Sequence, residues 1–291
     1  MKLFVRDLTV IDASYLSAER GMVGESWLVD IELTGTLNEM SMLLDFARVK
    51  KQLKAIIDAE VDHRLLVPVA ASCCQVATAE SGYHFVDFLR AGRSLHLNAP
   101  SEAFAFIPEE SITQESVTRY LHQLIQARLP SNIDGLTIRL RPEAIPTAFY
   151  HYSHGLKKHD GNCQRIAHGH RSMIELWVDE RRELALEQEW AARWADIYLG
   201  SQEDVVPLQQ LQLSPLATEH LGAQHLGFRY QAPQGDFQLA IAAAETELVD
   251  TDTTVELLAH YIARQLKPRF AQHLVRVVAY EGVGKGAIAE L

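Results

Sequence analysis

Cysteine is scarce in this chain, and the few copies present exclude a disulfide-stabilised design. The 291 residues contain three cysteines, Cys73, Cys74 and Cys163. Because Cys73 and Cys74 are adjacent, they cannot readily bridge to each other, and the disulfide framework of a small secreted protein is missing. Cysteine therefore serves here either as core filler or as a chemical group.

Long apolar runs and an excess of positive charge are also missing. No uninterrupted apolar stretch reaches the about 18 residues of a membrane span, and residues 1–12 alternate like a β-strand rather than forming a signal peptide. Thirty-eight acidic against 27 basic residues give a net charge of −11, which opposes non-specific binding to nucleic acid or to an anionic membrane. We therefore expect a cytoplasmic protein with neither partner.

No linker rich in proline, glycine or serine divides the chain, although its length suggests two domains. Two segments nevertheless resemble each other, because Tyr120 and Tyr261 each follow a Thr-X-Glu triplet, beginning at Thr113 and Thr254 respectively. Each segment predicts a helix with a similar apolar period. The sequence therefore indicates a tandem duplication with a boundary near residue 146.

The same order of elements is expected in both halves. Alternating residues predict strands at 4–13, 26–33, 136–140, 147–153, 173–178 and 274–279. Apolar stripes predict further helices at 42–59 and at roughly 183–199, and short strands are expected near 85–89 and 237–241. The prediction is an α+β protein of two ββααββ units, residues 1–146 and 147–291, whose antiparallel sheets carry helices on one face.

Histidines are concentrated in one short segment. Four of the 13 fall between residues 154 and 170. On an extended strand, residues i and i+2 share a face, so His168 and His170 would project together, with Gly169 leaving space between them. His154 on the preceding strand would complete the three protein ligands typical of a catalytic Zn²⁺ ion. The alternative is a set of surface histidines on a loop, since His-X-His pairs also arise by chance.

Cys163 lies close to this predicted zinc site. A neighbouring cation would lower the pKa of its thiol and favour the thiolate, which can act as a base. The alternative is a small buried hydrophobe, but the loop of Gly, Asn, Gln and Arg around Cys163 argues for exposure. Cys73 and Cys74 have apolar neighbours and are assigned to packing.

These residues resemble motifs of the 6-pyruvoyl-tetrahydropterin and 6-carboxytetrahydropterin synthase family. Cys163 followed by residues 168–170 is similar to the family's Cys…His-Gly-His motif, and His154 ends a strand like that of the first zinc histidine. Asp62-His63 resembles the catalytic Asp-His element, and Glu281 resembles the pterin-anchoring glutamate. The resemblance implies two tandem tunnelling-fold units that assemble into a barrel-like homo-oligomer, since open sheet edges invite further pairing.

The two halves depart from the family pattern in complementary ways. Tyr15, Val23 and Glu25 occupy the positions of the three zinc histidines in the first half, which should therefore bind no zinc. Aligning residues 67–68 with 206–207 places Ser201-Gln202 where the second half would carry its Asp-His pair. Because family active sites lie between neighbouring subunits, we hypothesise that one composite site is built from both halves.

The resemblance also implies an activity, namely a zinc-dependent lyase acting on the pterin 7,8-dihydroneopterin triphosphate. Cys163, His63 and Asp62 would move protons, and Glu281 would bind the pterin. Glu143 is a second candidate for the anchor, although only ten residues separate it from His154, too few for two strands. Further residues are assigned to substrate or triphosphate binding, namely Thr113, Lys157, Lys158, Arg165 and Lys285.

Three alternatives stay open at this point. The product could be a 6-pyruvoyl-tetrahydropterin rather than a 6-carboxytetrahydropterin, because the gap between Cys163 and His168 lies between those of the two types. The protein could be a pterin- or zinc-binding scaffold without turnover. It could also hold a structural zinc ion with a closed four-ligand set, completed by His159 or Cys163.

Overall fold

A five-stranded sheet forms the framework of the first half. Across residues 1–79, 82–90 and 92–291, which the computed structural model describes, the chain has three β-sheets and five α-helices. In the first sheet, a long antiparallel hairpin pairs with β8 on one side and with two short parallel strands on the other. Its strands are β1 (Lys2–Ser17), β2 (Gly21–Gly35), β3 (Leu65–Pro68), β7 (Phe104–Ile107) and β8 (Ile133–Pro142).

Two helices cover one face of this sheet, α1 (Phe46–Glu60) and α2 (Gln114–Gln126). Their inward residues, such as Leu53 on α1 and Leu121 on α2, are at most 2% exposed and share one apolar core with the sheet. Burial of each such leucine stabilises the fold by roughly 1.5–3 kcal/mol. Thr113 caps α2, because its side chain accepts a hydrogen bond from the Ser116 backbone while the Ser116 side chain accepts one from the Thr113 backbone.

The second half repeats this arrangement with a longer sheet. Its strand order is β16-β12-β9-β10-β17-β18, with β11 paired to β10. The strands are β9 (Phe149–His154), β10 (His168–Val178), β11 (Arg181–Arg182), β12 (Ile197–Ser201), β16 (Thr246–Val249), β17 (Val275–Tyr280) and β18 (Gly286–Glu290). Helices α3 (Leu184–Arg193) and α5 (Val255–Leu266) pack on it around the fully buried Trp194.

A third sheet joins the halves. Three of its strands come from each half, and β15 of the second half pairs antiparallel with β6 of the first, with Leu239 opposite Leu97. The strands are β4 (Cys74–Thr78), β5 (Tyr83–Phe88), β6 (Leu95–Pro100), β13 (Val205–Val206), β14 (His225–Ala232) and β15 (Gly235–Ala242), with the short helix α4 (Pro215–His220) beside them. No helix within the described ranges has the length and apolar character needed to span a membrane.

The fold class expected from the sequence is confirmed, with two corrections. The helix expected over 183–199 ends at Arg193, and residues 197–199 belong to β12; a short apolar run fits helix and strand equally well. In the described part of the first half, one strand follows α2, whereas two follow α5. The ten residues between Glu143 and His154 leave no room for the missing strand, since β9 already uses five of them.

The two long hairpins approach each other at a pair of glycines. Gly24 on β2 and Gly169 on β10 face each other so closely that a Cβ atom on either would overlap the carbonyl oxygen of Tyr152. Beside them, the Ser14 hydroxyl donates to the Ser153 hydroxyl at 2.7 Å. Ser14 pairs with Gly24, and Ser153 pairs with Gly169. Equivalent residues of the two halves therefore contact each other, as in a local pseudo-twofold arrangement. This contact places the β1–β2 hairpin of the first half against the β9–β10 hairpin of the second.

Candidate functional site

Three histidines converge at the end of β9 and the start of β10. His154 lies directly opposite His168 across the strand pair, and His170 follows on the same face of β10. The rings of His154 and His168 are 4.5 Å apart between centroids, and those of His154 and His170 are 5.3 Å apart. One nitrogen from each ring lies within 4.8 Å of the others, and all three side chains are at most 1% exposed. The predicted cluster is therefore assembled.

Hydrogen bonds orient two of these rings. The Nδ1 of His154 lies 3.0 Å from the carbonyl oxygen of Thr253, and the Nδ1 of His168 lies 3.1 Å from that of Arg165. A carbonyl oxygen can only accept, so each Nδ1 carries the proton and each Nε2 keeps its lone pair. Burial lowers the pKa of both imidazoles well below the ordinary value, which keeps them neutral.

The cluster fits a zinc ion. Among the described residues, the Nε2 atoms of all three histidines are buried without a hydrogen-bond partner, an arrangement that costs about 1–3 kcal/mol for each unsatisfied group. Three convergent neutral imidazole nitrogens are a set that Zn²⁺ accepts with one position left open. His154, His168 and His170 are therefore the residues that would hold the metal.

Asp12 of the first half lies behind the cluster. Its Oδ1 is 3.2 Å from the Nδ1 of His170 and accepts a hydrogen bond from the Ser26 hydroxyl at 2.5 Å. Its Oδ2 is 3.3 Å from the Nζ of Lys285. Burial alone would raise the pKa of Asp12, but His170 and Lys285 hold it well below its usual range. A carboxylate behind a ligand imidazole orients the ring and makes it more basic.

Asp12→Asn is therefore expected to weaken zinc binding by roughly 10–100-fold, the usual cost of losing an outer partner of a metal ligand. Competition with a chromophoric chelator measures this affinity. Asp30→Asn is the matched control, because Asp30 is an equally buried carboxylate of the same hairpin whose partners are Arg6 and Arg141. Equal affinities for the two variants would remove Asp12 from the site.

The Asp62-His63 pair of the first half reaches the cluster within the same chain. The Nδ1 of His63 lies 2.7 Å from Asp62 Oδ2, and its ring centroid is 5.2 Å from that of His168. One donor atom each from His63, Cys163 and His168 lies within 4.8 Å of the others. Burial lowers the pKa of His63, but Asp62 and Cys163 outweigh it and raise this pKa to about 10.

Backbone contacts hold this pair in place. Asp62 Oδ1 accepts the backbone N–H of Asp12 at 2.8 Å, and the carbonyl of Asp12 accepts the N–H of His63 at 2.7 Å. Asp12 therefore contacts both the histidine cluster and the Asp-His pair. The site thus combines a thiol, a histidine backed by a carboxylate and three imidazoles that could hold a metal ion. This set of groups would suit proton transfer beside a cation.

The model of one family, described as 6-pyruvoyl tetrahydropterin synthase, matches the chain twice, over residues 13–152 and 143–290. The chain belongs to this family. The overlap at 143–152 contains most of β9 and agrees with the strand missing from the first half. The protein is thus a tandem duplication of the 6-pyruvoyl tetrahydropterin synthase unit and a member of a family of pterin synthases.

Individual relatives correspond to about one half of the chain. A putative 6-carboxy-5,6,7,8-tetrahydropterin synthase of Pyrococcus horikoshii is 25% identical over 130 residues, which are 45% of this chain and 74% of that protein. The 6-pyruvoyl tetrahydropterin synthase structure of Plasmodium vivax is 13% identical and covers 48% of this chain and 97% of its own, with a TM-score of 0.38. That of Plasmodium falciparum is 12% identical over the same shares, with a TM-score of 0.35.

In this tandem member of the 6-pyruvoyl tetrahydropterin synthase family, the equivalent of the histidine cluster in the first half is an ion pair. Strand register places Tyr15, Val23 and Glu25 at the positions of His154, His168 and His170. The guanidinium of Arg20 donates to both oxygens of Asp196 at 2.9 and 2.6 Å and to the Tyr15 hydroxyl at 3.0 Å. These groups offer no set of imidazole ligands.

Strand register also corrects the alignment of the Asp-His pair. β3 pairs with β1 as β12 pairs with β9, with Leu65 opposite Ser14 and Tyr198 opposite Ser153. The counterpart of His63 is therefore Asp196, not Gln202, and both adopt a positive φ, 54° and 55°. The Val-Pro match used to align Ser201-Gln202 fails, because Val67-Pro68 lies within β3 whereas Val206-Pro207 lies beyond β12. At the corrected position, the second half carries Ala195-Asp196 instead of an Asp-His pair.

The structure separates the two candidate pterin anchors. Glu281 lies beside the cluster, where its carboxylate is 3.8 Å from Lys285 and contributes, after burial, to the raised pKa of Tyr152. Glu143 lies beside Arg171, which donates to its carbonyl oxygen at 2.8 Å. Arg171 also interacts electrostatically with Glu25, which occupies the first-half position equivalent to His170. Glu143 is therefore associated with the first-half equivalent of the cluster rather than with the histidines.

Three further sequence candidates, Thr113, Lys157 and Lys158, are engaged elsewhere. The Thr113 side chain caps α2. The Nζ of Lys157 lies 2.5 Å from Asp204 and 2.7 Å from Glu203, so its charge is neutralised, and Lys158 pairs with Asp252 at 2.8 Å. Asp12 and Thr253 could not be predicted from the sequence, because no motif marks a buried polar residue whose partner lies in the other half of the chain or 99 residues away.

Proposed function

We propose that this protein is a zinc-dependent pterin synthase that acts on 7,8-dihydroneopterin triphosphate and water and forms a 6-carboxytetrahydropterin, with release of triphosphate and of a two-carbon fragment. One composite active site, built from both halves of one chain, would carry the reaction. The observation that supports this most strongly is the position of His63, a first-half residue, within 4.8 Å of Cys163 and His168 of the second half.

Each residue has a role that follows from its position. His154, His168 and His170 would hold Zn²⁺, which when bound acts as a Lewis acid that makes the hydroxyls of the substrate side chain more acidic. Cys163 Sγ would take the first proton as a thiolate. His63 would exchange the second proton at Nε2, because its Nδ1 is engaged by Asp62. Such general acid–base groups each contribute roughly 10²–10⁴-fold in rate.

Glu281 would bind the pterin, since a carboxylate accepts hydrogen bonds from the amino group and an adjacent ring N–H in a bidentate manner. Its side chain is about one-fifth exposed at the edge of the cluster, so a heterocycle can reach it. Lys285, which is half exposed and lies near both Glu281 and Asp12, would supply positive charge on this side of the site.

Glu281→Gln is expected to raise KM for the pterin by about 10–100-fold, since a hydrogen bond to a charged group is worth more than a neutral one. The kcat should change less, because the heterocycle is held equally in the ground and transition states. Steady-state kinetics measure both constants. Glu143→Gln is the matched control; a raised KM in this variant alone would move the pterin anchor to Glu143.

The proposed function is tested by zinc content and product analysis on the same preparation. Purified protein is incubated with 7,8-dihydroneopterin triphosphate, and the products are identified by mass spectrometry. A 6-carboxytetrahydropterin supports the proposal, and a 6-pyruvoyl-tetrahydropterin would reassign the product. Stoichiometric zinc without turnover of any dihydropterin would indicate a binding scaffold instead.

A further inference from the structure

The loop that carries Cys163 is held by the third sheet. This loop, residues 155–167, connects β9 to β10, and the turn between β14 and β15 lies against it. The Tyr230 hydroxyl of β14 donates to the carbonyl oxygen of Gln164 at 2.8 Å. A Cβ on Gly155 would overlap that same hydroxyl, so the start of the loop also packs against Tyr230.

Gln234, in the turn between β14 and β15, binds the loop on both sides of Cys163. Its side-chain Nε2 donates to Asn162 Oδ1 at 2.9 Å, and its Oε1 accepts from the Nε of Arg165 at 3.2 Å. Its backbone N–H donates to Gln164 Oε1 at 2.8 Å. Gln234 therefore bonds, through its side chain and its backbone N–H, to residues on both sides of Cys163. Asn162 precedes the thiol, and Gln164 and Arg165 follow it.

Arg165 extends these contacts to the first half. Its guanidinium is buried, and its Nη1 lies 3.4 Å from the carbonyl oxygens of both Asp62 and His63. Its own carbonyl oxygen accepts from the Nδ1 of His168. Because Gln234 bonds to Arg165, it restrains two further parts of the site through that one residue. These are the ring of His168, a proposed zinc ligand, and the backbone of the Asp-His pair.

We propose that Gln234 is a positioning residue that sets the place of Cys163 relative to His63 and His168. This inference rests on the proposed function, since it assigns Gln234 to the geometry of the same site. Gln234 touches none of the reacting groups and acts through Asn162, Gln164 and Arg165. Because a misplacement of about 1 Å can cost about 10²-fold in rate, loosening this loop should affect the chemical step more than binding.

The chain offers a matched control on the same hairpin. Gln231 is the same residue type, lies three positions away at the end of β14 and is exposed. Gln234→Ala is expected to lower kcat about 10–100-fold with KM nearly unchanged, while zinc content stays at the parent level. Gln231→Ala should retain the parent kcat. Gln234→Glu, which keeps the acceptor for Arg165 and loses the donor to Asn162, should fall between them.

Hydrogen exchange supplies a readout that does not depend on turnover. Backbone amides of residues 156–167 should exchange about 10–100-fold faster in zinc-loaded Gln234→Ala than in Gln231→Ala, since local opening is limited by the bonds that Gln234 makes. Tyr230→Phe, which removes one further bond to the loop and keeps the ring, should show the same direction. Exchange and kcat equal to those of Gln231→Ala would overturn the proposal. Faster exchange in Gln234→Ala than in Gln231→Ala, together with a parent protein that turns over no pterin, would support the role of Gln234 in holding the loop and refute the proposed function.

Discussion

His168→Ala is expected to leave the protein without bound zinc. His168 faces His154 across the strand pair, and its ring lies beside that of His63. Removing it takes away one of three protein ligands, and the loss of affinity should exceed the roughly 10–100-fold that an outer partner costs. Turnover should fall with the metal. Metal analysis of dialysed protein and a turnover assay measure the two effects.

The parent protein should contain one zinc ion per chain, not two, because Tyr15, Val23 and Glu25 occupy the ligand positions of the first half. His159→Ala is the control from the same loop, since His159 is an exposed histidine outside the cluster. It should keep its zinc. Loss of zinc in His159→Ala would favour a closed, four-ligand structural site, and full zinc in His168→Ala would show that the cluster is not the metal site.

His63→Asn is expected to lower kcat by roughly 10²–10⁴-fold, the contribution of a general acid–base group, while zinc content stays at one per chain. Asparagine is the informative replacement, because His63 has a φ of 54° and asparagine adopts this left-handed region more readily than most residues. The loss should therefore report the missing imidazole rather than backbone strain. Steady-state kinetics and metal analysis of one preparation separate the two quantities.

A histidine of the same half serves as the control for this variant. The ring of His122 on α2 bonds to the carbonyl oxygen of Leu136 at 3.1 Å, and His122→Asn should retain the parent kcat. If His63→Asn turned over pterin at the parent rate with zinc in place, Asp62 and His63 would have no part in the reaction. The composite site would then reduce to the second half alone.

The sequence was sufficient to predict that three histidines converge, because the geometry that brings them together is local. His168 and His170 share a strand face by the two-residue period, and His154 comes from the strand that precedes them along the chain. The duplication was visible in the same way, from two helices with matching first turns at Thr113 and Thr254. The fold class followed from these repeats and is confirmed by the two family matches.

Features that depend on contacts between distant segments of the chain could not be predicted from the sequence. Strands near 85–89 and 237–241 were expected, but nothing in their pattern shows that they contribute to one sheet shared by both halves. The alignment of Ser201-Gln202 relied on a Val-Pro pair, whereas strand register identifies Asp196 as the counterpart of His63. Asp12 and Gln234 act through partners in distant segments, and a sequence pattern does not reveal such pairs.

A mixing experiment tests most directly whether the site is assembled within one chain. His63→Asn and His168→Ala chains carrying different affinity tags are co-expressed, mixed assemblies are isolated through both tags, and their turnover of dihydroneopterin triphosphate is compared with that of the parent. Because each chain lacks one part of its own site, these assemblies should be as inactive as either variant alone. Recovery of a substantial fraction of the parent activity would show that His63 of one chain serves the zinc of another, and would contradict the account.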